Sequence, residues 1–216
     1  MMPFTFDSAL NEVLLLGAHC DDIEIGCGGT LVALAKARPT LKIRIAVFSG
    51  AAARAAETRA AIAKLLPKGI QCEVTVFGFR DGFFPTEWAQ IKEQFEKLKK
   101  SCRPDLVLTH QADDKHQDHR IVSELTLNTF RNHAILQYEI PKYDGDLGRP
   151  QLYVPLEASV VQHKIATLVE SFPSQTDKRW FTAELFGSLL RLRGMECNAE
   201  SGYAEAFYVN KWTASW

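Results

Sequence analysis

The stretch Val13–Ala18 (VLLLGA) carries no polar side chain. A short, uninterrupted apolar run of this kind fits a strand covered on both faces, whereas a strand with one wet face alternates. Such a strand needs helices on both sides, and the sequence supplies them in turn. Thr30–Ala37 is helical in composition, Leu41–Ser49 is strand-like, and Ala51–Leu66 is rich in the strong helix formers Ala, Glu, Arg and Lys. Gln71–Phe79 is β-branched and aromatic. In Thr86–Ser101 the apolar residues Trp88, Ile91, Phe95 and Leu98 recur at helical spacing. Asp105–His110 predicts a fourth strand, Asp118–Asn132 a helix and Ala134–Ile140 a fifth strand. This alternation predicts an α/β fold, a Rossmann-like, mostly parallel sheet with helices on both faces. From Pro141 the pattern changes. YDGDLGRPQ is turn-rich, Leu152–Leu156 is a short strand, and Ala158–Phe172 and Thr182–Gly194 are helices. These form a C-terminal α+β elaboration. No linker separates it, so residues 1–216 are expected to form one domain, in keeping with roughly 100–200 residues per domain.

Charge excludes several partners. Twenty-five Lys and Arg stand against 26 Asp and Glu, a net charge of −1. That offers no electrostatic drive toward nucleic acid and no polybasic membrane anchor. The apolar runs fall far short of the ~20 residues of a spanning helix, so no transmembrane segment is expected. The start MMPFTFDSALNEV has no basic stretch leading into an apolar one, and none of the five scattered cysteines forms a CxxC pair. Both point to a cytoplasmic protein without a secretory signal or disulfide framework.

In open parallel sheets ligands sit beyond the carboxyl ends of the strands. Two of the loops there are unusual. The first strand runs into Gly17-Ala18-His19-Cys20-Asp21-Asp22-Ile23-Glu24, with an imidazole and three carboxylates in six residues. Crowded carboxylates repel one another and are costly to desolvate unless a cation joins them. The fourth strand runs into a loop with three histidines and three aspartates between His110 and His119. If strands one and four are neighbours, the loops meet. Together they hold more than the three ligands that a catalytic zinc takes while leaving one position open. Adjacent Asp21 and Asp22 cannot both point the same way, so one on a metal and one beside the attacking water is a reasonable division.

His19-Cys20-Asp21-Asp22-Ile23-Glu24 resembles the AHPDDxE motif of the LmbE/PIG-L family of zinc-dependent N-deacetylases, and His116-Gln117-Asp118-His119 resembles its HxDH motif. Thr109-His110, Arg54-Ala55-Ala56-Glu57 and Tyr203-Ala204-Glu205-Ala206-Phe207 are also similar to the family pattern. The resemblance implies an LmbE-like fold and hydrolysis of an acetamido group on an N-acetylglucosamine-type sugar or sugar conjugate, giving acetate and a free amine. It implies His19, Asp22 and His119 as ligands of Zn2+, though such a site accepts other divalent transition metals. It implies Asp21 as general base, His116 as the group that stabilises the oxyanion or donates a proton, Asp118 as the carboxylate that orients and charges His116, and Arg54 as a sugar contact. It also implies assembly into a homo-oligomer. The motifs engage the acetamido group and leave the rest of the substrate open. Cys20 stands where the family has proline, and a bystander role is expected for its thiol.

Other features have plainer readings. Gly26-Cys27-Gly28-Gly29 lacks GxGxxG spacing and lies among carboxylates that would repel a pyrophosphate, so it reads as a close approach of backbone and helix. Glu24 supports the site or bonds to the loop backbone. His110 is a candidate support, while Asp113 and Asp114 read as solvated loop. Asp81 and Tyr138 are further candidates for substrate contact, though a buried Tyr with a satisfied hydroxyl is the commoner case. His133 and His163 read as structural. Two rivals to the enzyme remain, a carbohydrate-binding or scaffold protein on the same fold and a nucleotide-binding transferase.

Overall fold

The computed structural model describes residues 10–212. The opening residues, where no secretory signal is expected, lie outside the described residues up to Ala9. The chain runs β1 (Glu12–His19), α1 (Asp22–Ala37), β2 (Lys42–Ser49), α2 (Ala52–Leu65), β3 (Gln71–Val76), α3 (Trp88–Ser101), β4 (Leu106–His110), α4 (Gln117–Thr129), β5 (Ala134–Tyr138), β6 (Leu152–Pro155), α5 (Ala158–Ser171), α6 (Ala183–Glu196) and β7 (Ala204–Val209). The strands form one sheet in the order β3-β2-β1-β4-β5-β7-β6. The first five are parallel, and β7 runs antiparallel to both β5 and β6. The α/β class and its C-terminal elaboration are as expected from the sequence.

The continuous apolar run of β1 is explained by burial on both faces. Val13 and Leu15 enter one core cluster with α1, α2, α5 and α6; Leu14, Leu16 and Ala18 enter the other with α3 and α4. The same period of two sorts Ile43, Ile45 and Val47 of β2 from Ala46 and Phe48. The chain leaves β1 toward β2 and β3 on one side, then returns to place β4 and β5 on the other. The order therefore switches direction between β1 and β4, the position where open sheets part their loops and bind ligands. The two polar loops follow these two strands.

Two elements differ from expectation. α1 begins at Asp22 and contains the glycine cluster, with a kink at Cys27 (φ −147°, ψ 17°). Packing overrides the poor helix propensity here: a Cβ on Gly26 would lie 2.2 Å from the Tyr138 ring, and one on Gly29 would lie 2.4 Å from Leu156. β7 was legible only as part of the family resemblance. Its inner face carries a charge, Glu205, which breaks the apolar pattern of a buried strand. Among the described residues, no helix is long and apolar enough to cross a membrane.

Candidate active site

β1 delivers His19 at its last position. The chain then turns sharply: Asp21 adopts a left-handed conformation (φ 105°), a strained geometry for a residue with a side chain and one that concentrates at functional sites. The turn buries Asp21 and Asp22 together. Asp22 Oδ2 accepts a hydrogen bond from His19 N–H at 2.7 Å and lies 3.1 Å from His110 Nε2. His110, at the end of β4, stacks on His119 with ring centroids 3.9 Å apart and accepts from Ala18 N–H at 3.0 Å.

α4 presents the second group. His116 caps the helix, its Nδ1 accepting from Asp118 N–H at 3.2 Å. One turn later His119 pairs its Nδ1 with Asp114 Oδ2 at 2.9 Å, so Nε2 faces the cluster: 3.2 Å from His19 Nδ1 and 3.6 Å from Asp22 Oδ1. Burial, followed by the neighbouring His110, lowers the His119 pKa to about 4, which keeps the ring neutral and its Nε2 lone pair free. Across the cluster, His19 Nε2 bonds Asp118 Oδ2 at 3.0 Å and lies 3.1 Å from Asp81 Oδ1, turning its Nδ1 inward.

This donor set fits a cation. His19 Nδ1 lies 3.2 Å from His119 Nε2 and 3.7 Å from Asp22 Oδ2, and His119 Nε2 lies 3.6 Å from Asp22 Oδ1, so the two rings face different oxygens of one carboxylate. A tetrahedral ion with bonds of ~2.0–2.2 Å spaces its ligands at about 3.4 Å. Two ring nitrogens whose other edges already serve carboxylates face each other here at hydrogen-bond distance, so the space between them takes either a proton or a metal ion. Burial opposes charge on His19, yet its bonds to Asp118 and Asp81 and the field of Asp22 raise its pKa to about 10. Burial likewise opposes ionisation of Asp22, but His119 and His110 hold it well below the ordinary carboxylate range. Three overlapping sets of potential ligand atoms occur: His19, His116 and His119; His19, Asp81, His116 and Asp118; and Asp22, His110 and His119.

Asp21 lies beside these donors. Burial and then the charge of Asp22 push its carboxyl up to about 7, against the pull of Arg54. Arg54 Nη2 lies 3.2 Å from Asp21 Oδ2 and also donates to Cys20 O. The guanidinium expected to meet a sugar is thus engaged with the candidate base. Asp81 is 73% exposed on its side chain and stands at the mouth.

Other expectations need correction. The Asp118 carboxylate does not reach His116. It accepts from Gly82 N–H (2.6 Å) and Phe84 N–H (3.1 Å) and pairs with His19, while only its backbone touches His116. The imidazole it hydrogen-bonds is that of His19, while its charge also favours the protonated form of His116. Burial, and next the charge of His19, lower the His116 pKa. Tyr138 is fully buried, with its hydroxyl donating to Leu16 O at 2.6 Å, so it supports the site from beneath and cannot touch substrate. Asp114 is not solvated loop: it is fully buried and bonds His119, His116 N–H and Lys142 Nζ. Asp113 is exposed, as expected. Glu24 is buried with neither oxygen hydrogen-bonded among the described residues, and burial raises its pKa to about 8. Cys20 is buried and burial raises its thiol to about 11, which suits a bystander. His163 bonds the carbonyls of Lys64 and Leu65 at the end of α2.

Fold and site define a class: a Rossmann-like α/β protein with a buried His/Asp cluster at the switch point of its sheet. The family profile described as "PIG-L: GlcNAc-PI de-N-acetylase" matches residues 14–130, just over half of the 216 residues, and the chain belongs to this LmbE-like family. Solved structures share the fold at low identity. The N,N'-diacetylchitobiose deacetylase from Pyrococcus horikoshii is 19% identical with a TM-score of 0.72, the match covering 93% of this chain and 84% of that one. The zinc-inhibited form of a teicoplanin deacetylase is 15% identical (TM-score 0.67, 92% and 97% covered). GalB, the 4-carboxy-2-hydroxymuconate hydratase from Pseudomonas putida KT2440, is 16% identical (TM-score 0.67, 95% and 99% covered). No curated protein matches the chain significantly.

Proposed function

We propose that this protein is a zinc-dependent de-N-acetylase acting on an N-acetylated sugar or sugar conjugate. The observation that carries the reading is the meeting of His19 Nδ1 and His119 Nε2 at 3.2 Å, with one oxygen of the Asp22 carboxylate near each ring and the Asp21 carboxyl beside them. These three residues would hold the ion. When bound, a divalent cation supplies a Lewis acid for the amide carbonyl and makes water nucleophilic near neutral pH.

The chain's own groups supply the rest. Asp21, paired with Arg54, takes a proton from the attacking water. His116 commits Nδ1 to the backbone of α4, which leaves Nε2–H to donate to the developing oxyanion or the departing amine. Asp118 holds His19 and ties it to the loop of Gly82 and Phe84. Asp81, exposed at the mouth, is placed to accept from a sugar hydroxyl. A single-domain, homo-oligomeric cytoplasmic enzyme is the accompanying reading.

The test combines metal content with acetate release. Protein purified without chelator is expected to carry about one divalent ion per chain and to release acetate from members of an N-acetyl sugar panel. Activity should vanish on stripping and return with zinc. A chain that binds no metal even on reconstitution overturns the reading. The hydratase among the fold neighbours favours a second one, addition of water to a conjugated double bond. Bound metal with hydration of an unsaturated acid, and no acetate from any acetamide, would move that reading to first place.

A further inference from the structure

The kink in α1 divides it into a five-residue segment, Asp22–Gly26, and a longer one from Gly28 to Ala37. In an uninterrupted helix Gly29 N–H would donate to Ile25 O. Here both groups also find partners in a buried ion pair. Gly29 N–H donates to Glu205 Oε1 at 2.7 Å and Thr30 N–H to Glu205 Oε2 at 2.6 Å. Lys164 Nζ donates to Ile25 O at 2.6 Å and to Glu205 Oε1 at 2.6 Å. The carboxylate therefore caps the start of the second segment and the ammonium caps the end of the first, each with the sign that the helix ends favour. Both side chains are only 2% exposed.

The first segment is held at two points. At its start, Asp22 is fixed by His19 N–H and the edge of His110. At its end, Gly26 lies against the Tyr138 ring and Ile25 O is held by Lys164. A five-residue segment is too short to hold its own direction. We propose that the Lys164–Glu205 pair is a positioning device: it sets the direction of the Asp22–Gly26 segment and thereby the place of the Asp22 carboxylate in the metal site. The inference rests on the reading of Asp22 as a metal ligand given above. Lys164 comes from α5 and Glu205 from β7, so the C-terminal elaboration supplies both halves of the pair.

The experiment measures the dissociation constant for Zn2+, by competition with a chromophoric chelator, and the absorption spectrum of the Co2+-loaded protein. It compares the natural chain with Glu205→Gln, Lys164→Gln and the double variant. Each single variant leaves a buried charge alone and is expected to lose stability, which a purely structural role also predicts. Removing both charges restores much of that stability. The proposal requires that the double variant, folded by circular dichroism, still binds Zn2+ about tenfold more weakly with a shifted Co2+ spectrum, the scale seen for outer residues that orient ligands. Zn2+ affinity and Co2+ spectrum that return to natural values as stability recovers would overturn it. If a single variant does not fold, the double variant alone decides. A natural chain that binds no Zn2+ would instead bring down the reading of the site on which this rests.

Discussion

Asp114 touches three groups at once: His119 Nδ1, His116 N–H and Lys142 Nζ. The first contact fixes which nitrogen of His119 faces the cluster, because a ring that donates from Nδ1 keeps Nε2 as its lone-pair edge. Asp114→Ala is expected to weaken Zn2+ binding 10- to 100-fold, measured by chelator competition, while leaving the fold intact. Asp21→Asn is expected to retain the metal and lose 10²- to 10⁴-fold in turnover, the usual share of a general base. Full activity with the amide in place would remove Asp21 from that role. Tyr208 gives a pH-dependent prediction away from the cluster. Its hydroxyl donates to Glu139 and accepts from Gly148 N–H, and burial followed by the Glu139 charge raises its pKa from the model-compound value of 10.0. The folded chain keeps that proton while the unfolded chain releases it above about pH 10. Its contribution to stability is therefore present below pH 10 and lost as pH rises further. Urea midpoints taken on either side of pH 10 should fall more for the natural chain than for Tyr208→Phe.

Within α1 the neighbouring glycines differ sharply. A Cβ on Gly26 meets the Tyr138 ring at 2.2 Å, whereas one on Gly28 meets nothing closer than 3.6 Å. Gly26→Ala is expected to cost about 1–3 kcal/mol, the range of overpacked cores. Gly28→Ala should cost far less; equal losses in thermal unfolding would mean that close contact with Tyr138 is not what selects glycine. The same helix shows where sequence reading stops. The parallel sheet was legible because runs such as VLLLGA fit strands covered on both faces and alternate with helical stretches. The meeting of the two polar loops followed from β1 and β4 being neighbours, while the choice of His19, Asp22 and His119 among their residues came from the family resemblance. α1's true start was hidden because glycine argues against helix, and the contacts that override it come from Tyr138 and Leu156, far along the chain. Asp114 was hidden for a related reason: a polar residue in a polar loop looks solvated until Lys142 and His119 close over it. The hydrogen bond from Asp118 to His19 was hidden because the two lie 99 residues apart, whereas His116 is only two positions away.

Across the whole molecule, ligands drawn from two loops ought to couple metal binding to global stability. Zn2+ at a hundred times its dissociation constant stabilises by about 2.7 kcal/mol. For a chain of this length that corresponds to a rise of roughly 5–10 °C in Tm, readable by scanning fluorimetry against a chelator control. An unchanged Tm with metal bound would mean that the unfolded chain binds the ion as tightly as the folded one. The sheet carries a further consequence. β7, the last strand described, is inserted between β5 and β6 and does not lie at an edge. A growing polypeptide therefore emerges with β5 open along one side until β7 has been made, and Glu205 arrives with that strand. Chains halted before Tyr203 are expected to aggregate through the open side of β5 and to retain no zinc, checked by sedimentation and metal analysis. Synthesis itself would then act as a timer, withholding a competent metal site from every chain in which β7 has yet to be made.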